Sequence, residues 1–114
     1  MLTTTPKHIQ FCQELVDKMD VMLQEISVTS EDMEISFQNS PQKSRLVLTT
    51  SLEGLRACRE NILKKQIILQ WLMEKFQHRS DLNDAIPEAL LAFESLVHGE
   101  NARAERIMDD YFDS

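Results

Sequence analysis

The sequence predicts an α+β fold, mostly helical, with long helices and one β-hairpin set between them. Three observations carry this expectation. Apolar residues recur three and four apart before Ser27 and again after Leu52, the spacing of a helix with one buried face. Between Met33 and Phe37 the period drops to two, and the turn formers Asn39, Ser40 and Pro41 follow. Only two glycines and three prolines interrupt the chain, which favours long helices elsewhere. The alternative is an all-α antiparallel helical bundle, in which the hairpin is replaced by more helix.

The first helix is expected over residues 6–27. Thr5 can cap it, and Pro6 suits the first helical position, where its missing N–H costs nothing. Ile9, Cys12, Val16, Met19, Leu23 and Ile26 form one apolar stripe, widened by Leu15 and Met22. That width fits a globular core better than a narrow coiled-coil seam. Ser27, Thr29 and Ser30 compete for the backbone and end the stripe.

A hairpin is expected over residues 31–49. Met33, Ile35 and Phe37 alternate with Glu34, Ser36 and Gln38. The second strand, RLVLTT, is rich in β-branched residues. The competing signs are helical: Met33 and Phe37 also continue the three–four series, and Leu48, Leu52 and Leu55 are helically spaced. Ser40-Pro41 would then cap a new helix. A lone hairpin is marginal in water, so it must pack on the helices or pair with another chain.

A long central helix is expected over residues 51–78. Thr50 and Glu53 have capping-box spacing. Leu55, Cys58, Ile62, Leu69, Leu72, Met73 and Phe76 mark its buried face, and His78 and Arg79 near its end suit the negative pole of the helix dipole. The stretch IILQWLM, residues 67–73, is apolar nearly all round. Such a helix is central in its fold or buries a second face in an interface. Ser80 or Asp81 begins a linker. Helices then follow at about 85–98 and 101–112, divided at Gly99 as a C-cap and antiparallel because their connection is short.

At 114 residues the chain is read as a single domain, 1–114, large enough for a core without staples. Its formal net charge is −7. Residues 1–42 carry two lysines against seven carboxylates, and residues 81–114 carry two arginines against nine. Residues 43–80 carry eight lysines or arginines against three carboxylates. Opposite signs on neighbouring antiparallel helices attract and disfavour wrong registers. Arg56, Arg59, Lys64 and Lys65 could instead face an anionic partner. The bulk acidity disfavours nucleic acid, whose phosphates the long-range field repels.

The sequence offers little chemistry. Cys12 and Cys58 sit among apolar residues, as buried thiols do in a reducing compartment. His8 and Cys12 share a helix face, but a metal needs three or four ligands, so no metal site is assigned. There is no phosphate-cradling glycine loop, no G-x-S-x-G and no H-E-x-x-H. Asp109, Asp110 and Asp113 lack the glycine-bearing loop of a calcium site. No catalytic residue and no cofactor is assigned, and an enzyme is not expected. MLTTTPKHIQ has no charged region ahead of an apolar stretch, so no signal peptide is expected, and no apolar run approaches the roughly 18 residues of a membrane span. The expected location is cytoplasmic.

What remains is a surplus of apolar surface. Six methionines, most on apolar faces, are able to repack against different partners. The expected function is a non-catalytic protein-binding module: a small acidic adaptor, chaperone or regulator of a larger protein. The predicted partner-binding residues are Trp71, Ile67 and Ile68 on the central helix, and Leu46, Val47 and Leu48 on the second strand, by strand addition. A homodimer or a stable heterocomplex would cover them. The alternative is a nucleic-acid-linked transcriptional regulator with a basic central helix. The profile is similar to that of bacterial secretion chaperones in composition, and no motif carries the likeness to a family.

Overall fold

The computed structural model describes residues 7–39, 41–77 and 86–113. Nearly all of these belong to three helices: α1 (Lys7–Asn39), α2 (Gln42–Gln77) and α3 (Glu88–Asp113). No strand occurs among the described residues. The α+β expectation is therefore overturned, and the helical bundle that competed with it describes the molecule. Thr5, Pro6, Ser40, His78, Arg79 and the linker from Ser80 lie outside the described residues.

The buried positions explain why α1 runs through the expected strand. Cys12, Leu15, Met19, Met22, Ile26, Thr29 and Met33 are all buried, at alternating steps of three and four. Thr29 fills the inner face where the stripe seemed to stop. Ile35, whose alternation with Met33 and Phe37 suggested a strand, points to solvent. Burial of one continuous face outweighs the weak helix preference of Ser27, Val28 and Thr29.

α2 begins eight residues before Thr50, and the capping box expected there does not form. Thr50 Oγ1 donates to Leu46 O at 3.1 Å, and Thr49 Oγ1 to Arg45 O at 2.8 Å. Each hydroxyl is satisfied by the carbonyl one turn back, so both threonines sit inside the helix. Pro41 opens α2, its carbonyl accepting from Arg45 N at 3.2 Å. Where a hairpin was expected, Arg45 turns back onto the end of α1. Its Nε donates to Phe37 O at 3.2 Å, and its guanidinium lies 5.5 Å from the Phe37 ring centroid. A cation on the last carbonyls of a helix is favourable, and the aromatic face adds to it. The predicted strand residues Leu46, Val47 and Leu48 are thus the first turns of a helix, and strand addition is not available to them.

α3 is also unbroken. Gly99, expected as a C-cap, lies within the helix without the positive φ that such a cap uses. Leu90, Val97, Ala104 and Met108 are buried along one face. The stripe crosses Gly99 because Ala104, a small residue, takes a core position.

The helices run up, down and up. Gln66 Nε2 donates to Val16 O at 3.3 Å and to Asp20 Oδ1 at 2.6 Å, fixing α2 antiparallel to α1. Asn61 Nδ2 donates to Glu100 Oε1 at 3.3 Å between α2 and α3. Tyr111 OH donates to Asp32 Oδ2 at 2.5 Å and lies 3.0 Å from Ser36 Oγ. Because the phenol has one proton, Ser36 donates in that second bond. This pair ties the end of α3 to the end of α1, which run parallel. Gly54 lets α3 approach: a Cβ there would stand 2.9 Å from Ile107 Cδ1. The result is a rod of 62 × 27 × 20 Å.

A Cβ added at Gly99 meets nothing within 4 Å. Gly99→Ala should therefore stabilise the fold by about 0.5–1 kcal/mol, read as a higher urea midpoint. Destabilisation would mean that α3 ends at this glycine after all.

Candidate functional site

The six residues expected to bind a partner separate into two groups. Ile67, Ile68 and Trp71 lie on the outer side of α2, with 66%, 45% and 55% of their surface exposed. The inner side of the same turns is already filled by Leu69, with Leu72, Met73 and Phe76 packed against the core. The apolar surround of this helix is thus divided between a core face and a bare face. Lys75 Nζ stands 5.3 Å from the Trp71 ring centroid and leaves the indole more than half open.

Leu46 and Val47 are also exposed, but Leu48 is core at 8% exposure. Twenty-five residues of helix separate Leu46 from Trp71, roughly 37 Å along the axis. The structure therefore does not bring the two groups together. Around the first of them, the pairing of Asn61 with Glu100 and of Gly54 with Ile107 sets Ile68 within about one turn of the level of Leu96 on α3. Leu96 is exposed. The sequence places Leu96 among the apolar residues of the helix expected at about 85–98, without a partner role.

Sequence reading passed over a second apolar row. Val21, Val28 and Ile35 are exposed and lie seven apart on α1. Their spacing was visible in the sequence but was obscured by the expected strand. Val21 and Val28 line an open groove between α1 and α3, whose other wall bears Met108 and Phe112. Its volume is about 540 Å³. A further depression of about 390 Å³ shares Val21, Glu25 and Glu105 with it and reaches His98. A third, of about 360 Å³, lies between α1 and α2 beside Phe37 and Arg56.

The basic residues of α2 are dispersed. Arg56 Nη2 meets Glu34 Oε1 at 3.4 Å, both side chains exposed, a contact worth little. Arg59 and Lys64 are exposed and Lys65 is half-buried.

Neither cysteine is prepared as a nucleophile. Cys12 and Cys58 are free and buried. Burial pushes the Cys12 thiol up to about 11. Burial is also the main cause that raises Cys58, with Arg103 opposing it and Glu100 adding to it by charge and by hydrogen bond. A raised thiol keeps its proton and reacts slowly. His8 is buried against Phe76, the ring centroids 5.4 Å apart. Among the described residues no three His, Cys, Asp or Glu side chains converge as metal ligands would, and no helix is long and apolar enough to cross a membrane.

Comparison of the chain with protein-family models, with curated proteins and with solved structures gives no match.

The raised Cys12 thiol has a consequence for stability. The native state holds this proton more tightly than the unfolded chain does. The contribution is complete below about pH 9 and is lost as pH rises through about 11. Urea midpoints should fall across that window, by roughly 2–3 kcal/mol in stability from this group. In Cys12→Ala the fall should be shallower by that amount. Equal slopes in the two chains would show that Cys12 ionises normally in the folded protein.

Proposed function

We propose that the protein is a non-catalytic protein-binding module, an adaptor, chaperone or regulator of a larger protein, docking through the outer face of α2. One observation carries this reading. Ile67, Ile68 and Trp71 stand bare on a helix whose opposite face already fills the core. Burying a large apolar side chain from full exposure is worth about 1.5–3 kcal/mol; each of these three still has about half of its surface to cover, so together they can anchor an interface. Tryptophan anchors suit this, because a large rigid surface is buried at small entropic cost. Leu46 and Val47 are far from this anchor and serve at most as a separate contact. The partner is a protein in this reading, in a heterocomplex or in a homodimer.

The test compares the wild type with Ile67→Asp and Trp71→Ala as immobilised baits in a lysate of the cells that make the protein. The expected outcome is a protein retained by the wild type and lost from both variants, with helical circular dichroism unchanged. Trp71 fluorescence should shift to the blue on binding. Identical retention by all three baits would remove the role assigned to this face.

A further inference from the structure

A second apolar surface lies away from the bare face of α2, in the groove between α1 and α3 that α2 does not line. α1 has two rows of apolar residues, each with a seven-residue period. Cys12, Met19, Ile26 and Met33 face the core, while Val21 and Val28 line the groove and Ile35, one heptad further on, is exposed outside its lining. Residues seven apart drift by only about 20° per heptad, so the three form one strip along α1, the spacing that a partner helix in a coiled pair uses.

The groove is shaped for the same occupant. Its floor is Thr29 and Met108, buried, with Val28 on one wall and Phe112 on the other. Phe112 makes an edge contact with Tyr111, centroids 5.1 Å apart, and Tyr111 is in turn bonded to Asp32. The rims are acidic: Glu25 on the α1 side, Glu105 and Asp109 on the α3 side, with Lys18 only toward one end. Both walls come from the acidic segments of the chain, and the basic segment forms α2 behind them. Two copies meeting through this groove would bring like charges together, which is unfavourable.

We propose that this groove binds an amphipathic helix of another protein, apolar on one side and flanked by lysine or arginine, as the fourth helix of the bundle. The flanking cations would lie against Glu25, Glu105 and Asp109, the arrangement that sets partner choice in coiled helices.

The probe is a synthetic helix of about three heptads, with leucine at the two core positions and lysine beside them, and its glutamate counterpart as control. Binding to the full chain is followed by anisotropy of labelled peptide. The lysine peptide should bind, more weakly as salt rises, and the glutamate peptide should not. The paired variant Val28→Ser with Phe112→Ser leaves every charge in place and should weaken binding at least tenfold. Ile67→Asp should bind like the wild type, which separates this groove from the α2 face. Should the paired variant lose helicity, Val21→Ser alone replaces it, with a photo-crosslinking residue at position 28 that should capture the lysine peptide. Undiminished binding to the serine variants would reduce the effect to bulk attraction by an acidic protein and overturn the proposal. So would equal binding of the glutamate peptide, or a wild-type dimer that Val28→Asp dissociates.

Discussion

The continuous burial of one face along each of three long helices is the constraint on which the structure depends. On α1 the buried side chains step evenly from Cys12 to Met33. On α2, Leu48, Leu55, Ile62 and Leu69 repeat every seven residues, and on α3 Leu90, Val97 and Ala104 do the same. Three stripes of one period can remain in contact over the length of a rod if the helices wind gently around each other. A break in any helix would turn the following residues away from the other two. This is why α1 crosses Ser27–Ser30 and α3 crosses Gly99 without interruption. Isolated helices with these residues would be marginal, and the common core supplies what local preference does not.

Apolar stripes alone leave the register loose, since one heptad resembles the next. Polar contacts of limited reach settle it. The Gln66 carboxamide finds Val16 O and Asp20 together at one level of α1. Tyr111 reaches Asp32 and Ser36. Gly54 admits the tip of the Ile107 side chain at this level, which a Cβ there would push aside. A shift of one turn would leave the buried Gln66 carboxamide without its partners, at a cost of about 1–3 kcal/mol. The exposed ion pair of Arg56 with Glu34 adds little to this. The acidic, basic and acidic segments put opposite signs on α2 and its two neighbours, but the two acidic helices α1 and α3 also pack together, so charge does not choose which helices are neighbours.

The helical stretches that were legible in the sequence are those whose inner face is filled with large apolar residues. The places where it misled have the opposite character. Thr29, Gln66 and Ala104 occupy core positions that hydrophobicity does not mark, and Ile35 is apolar but exposed. Together Thr29 and Ile35 replaced a helical period by an apparent period of two. Thr50 with Glu53 imitates a cap in its spacing, while its hydroxyl bonds back into the helix. The bare face at Ile67, Ile68 and Trp71 could be anticipated, because a helix apolar all round exceeds what two neighbours can cover. The row at Val21, Val28 and Ile35 could not be separated from the core while α1 was thought to end at residue 27.

The shape of the molecule links these surfaces. A compact domain of this length has a radius of gyration of roughly 13 Å, whereas the rod has one of 18.0 Å. Three helices side by side leave each with about half its circumference outside, so a helix with apolar residues on more than one side cannot hide them within the bundle. α1 and α2 are both of this kind. The two bare regions lie on different faces of the rod, so one neighbour lying along a single face cannot cover both. In the proposed reading the chain is thus a layer between two partners, a helix in the groove of α1 and α3 and a protein on the face of α2, rather than a closed body. Its acidic pair of helices distinguishes one side from the other by charge, and its tryptophan distinguishes the other by shape.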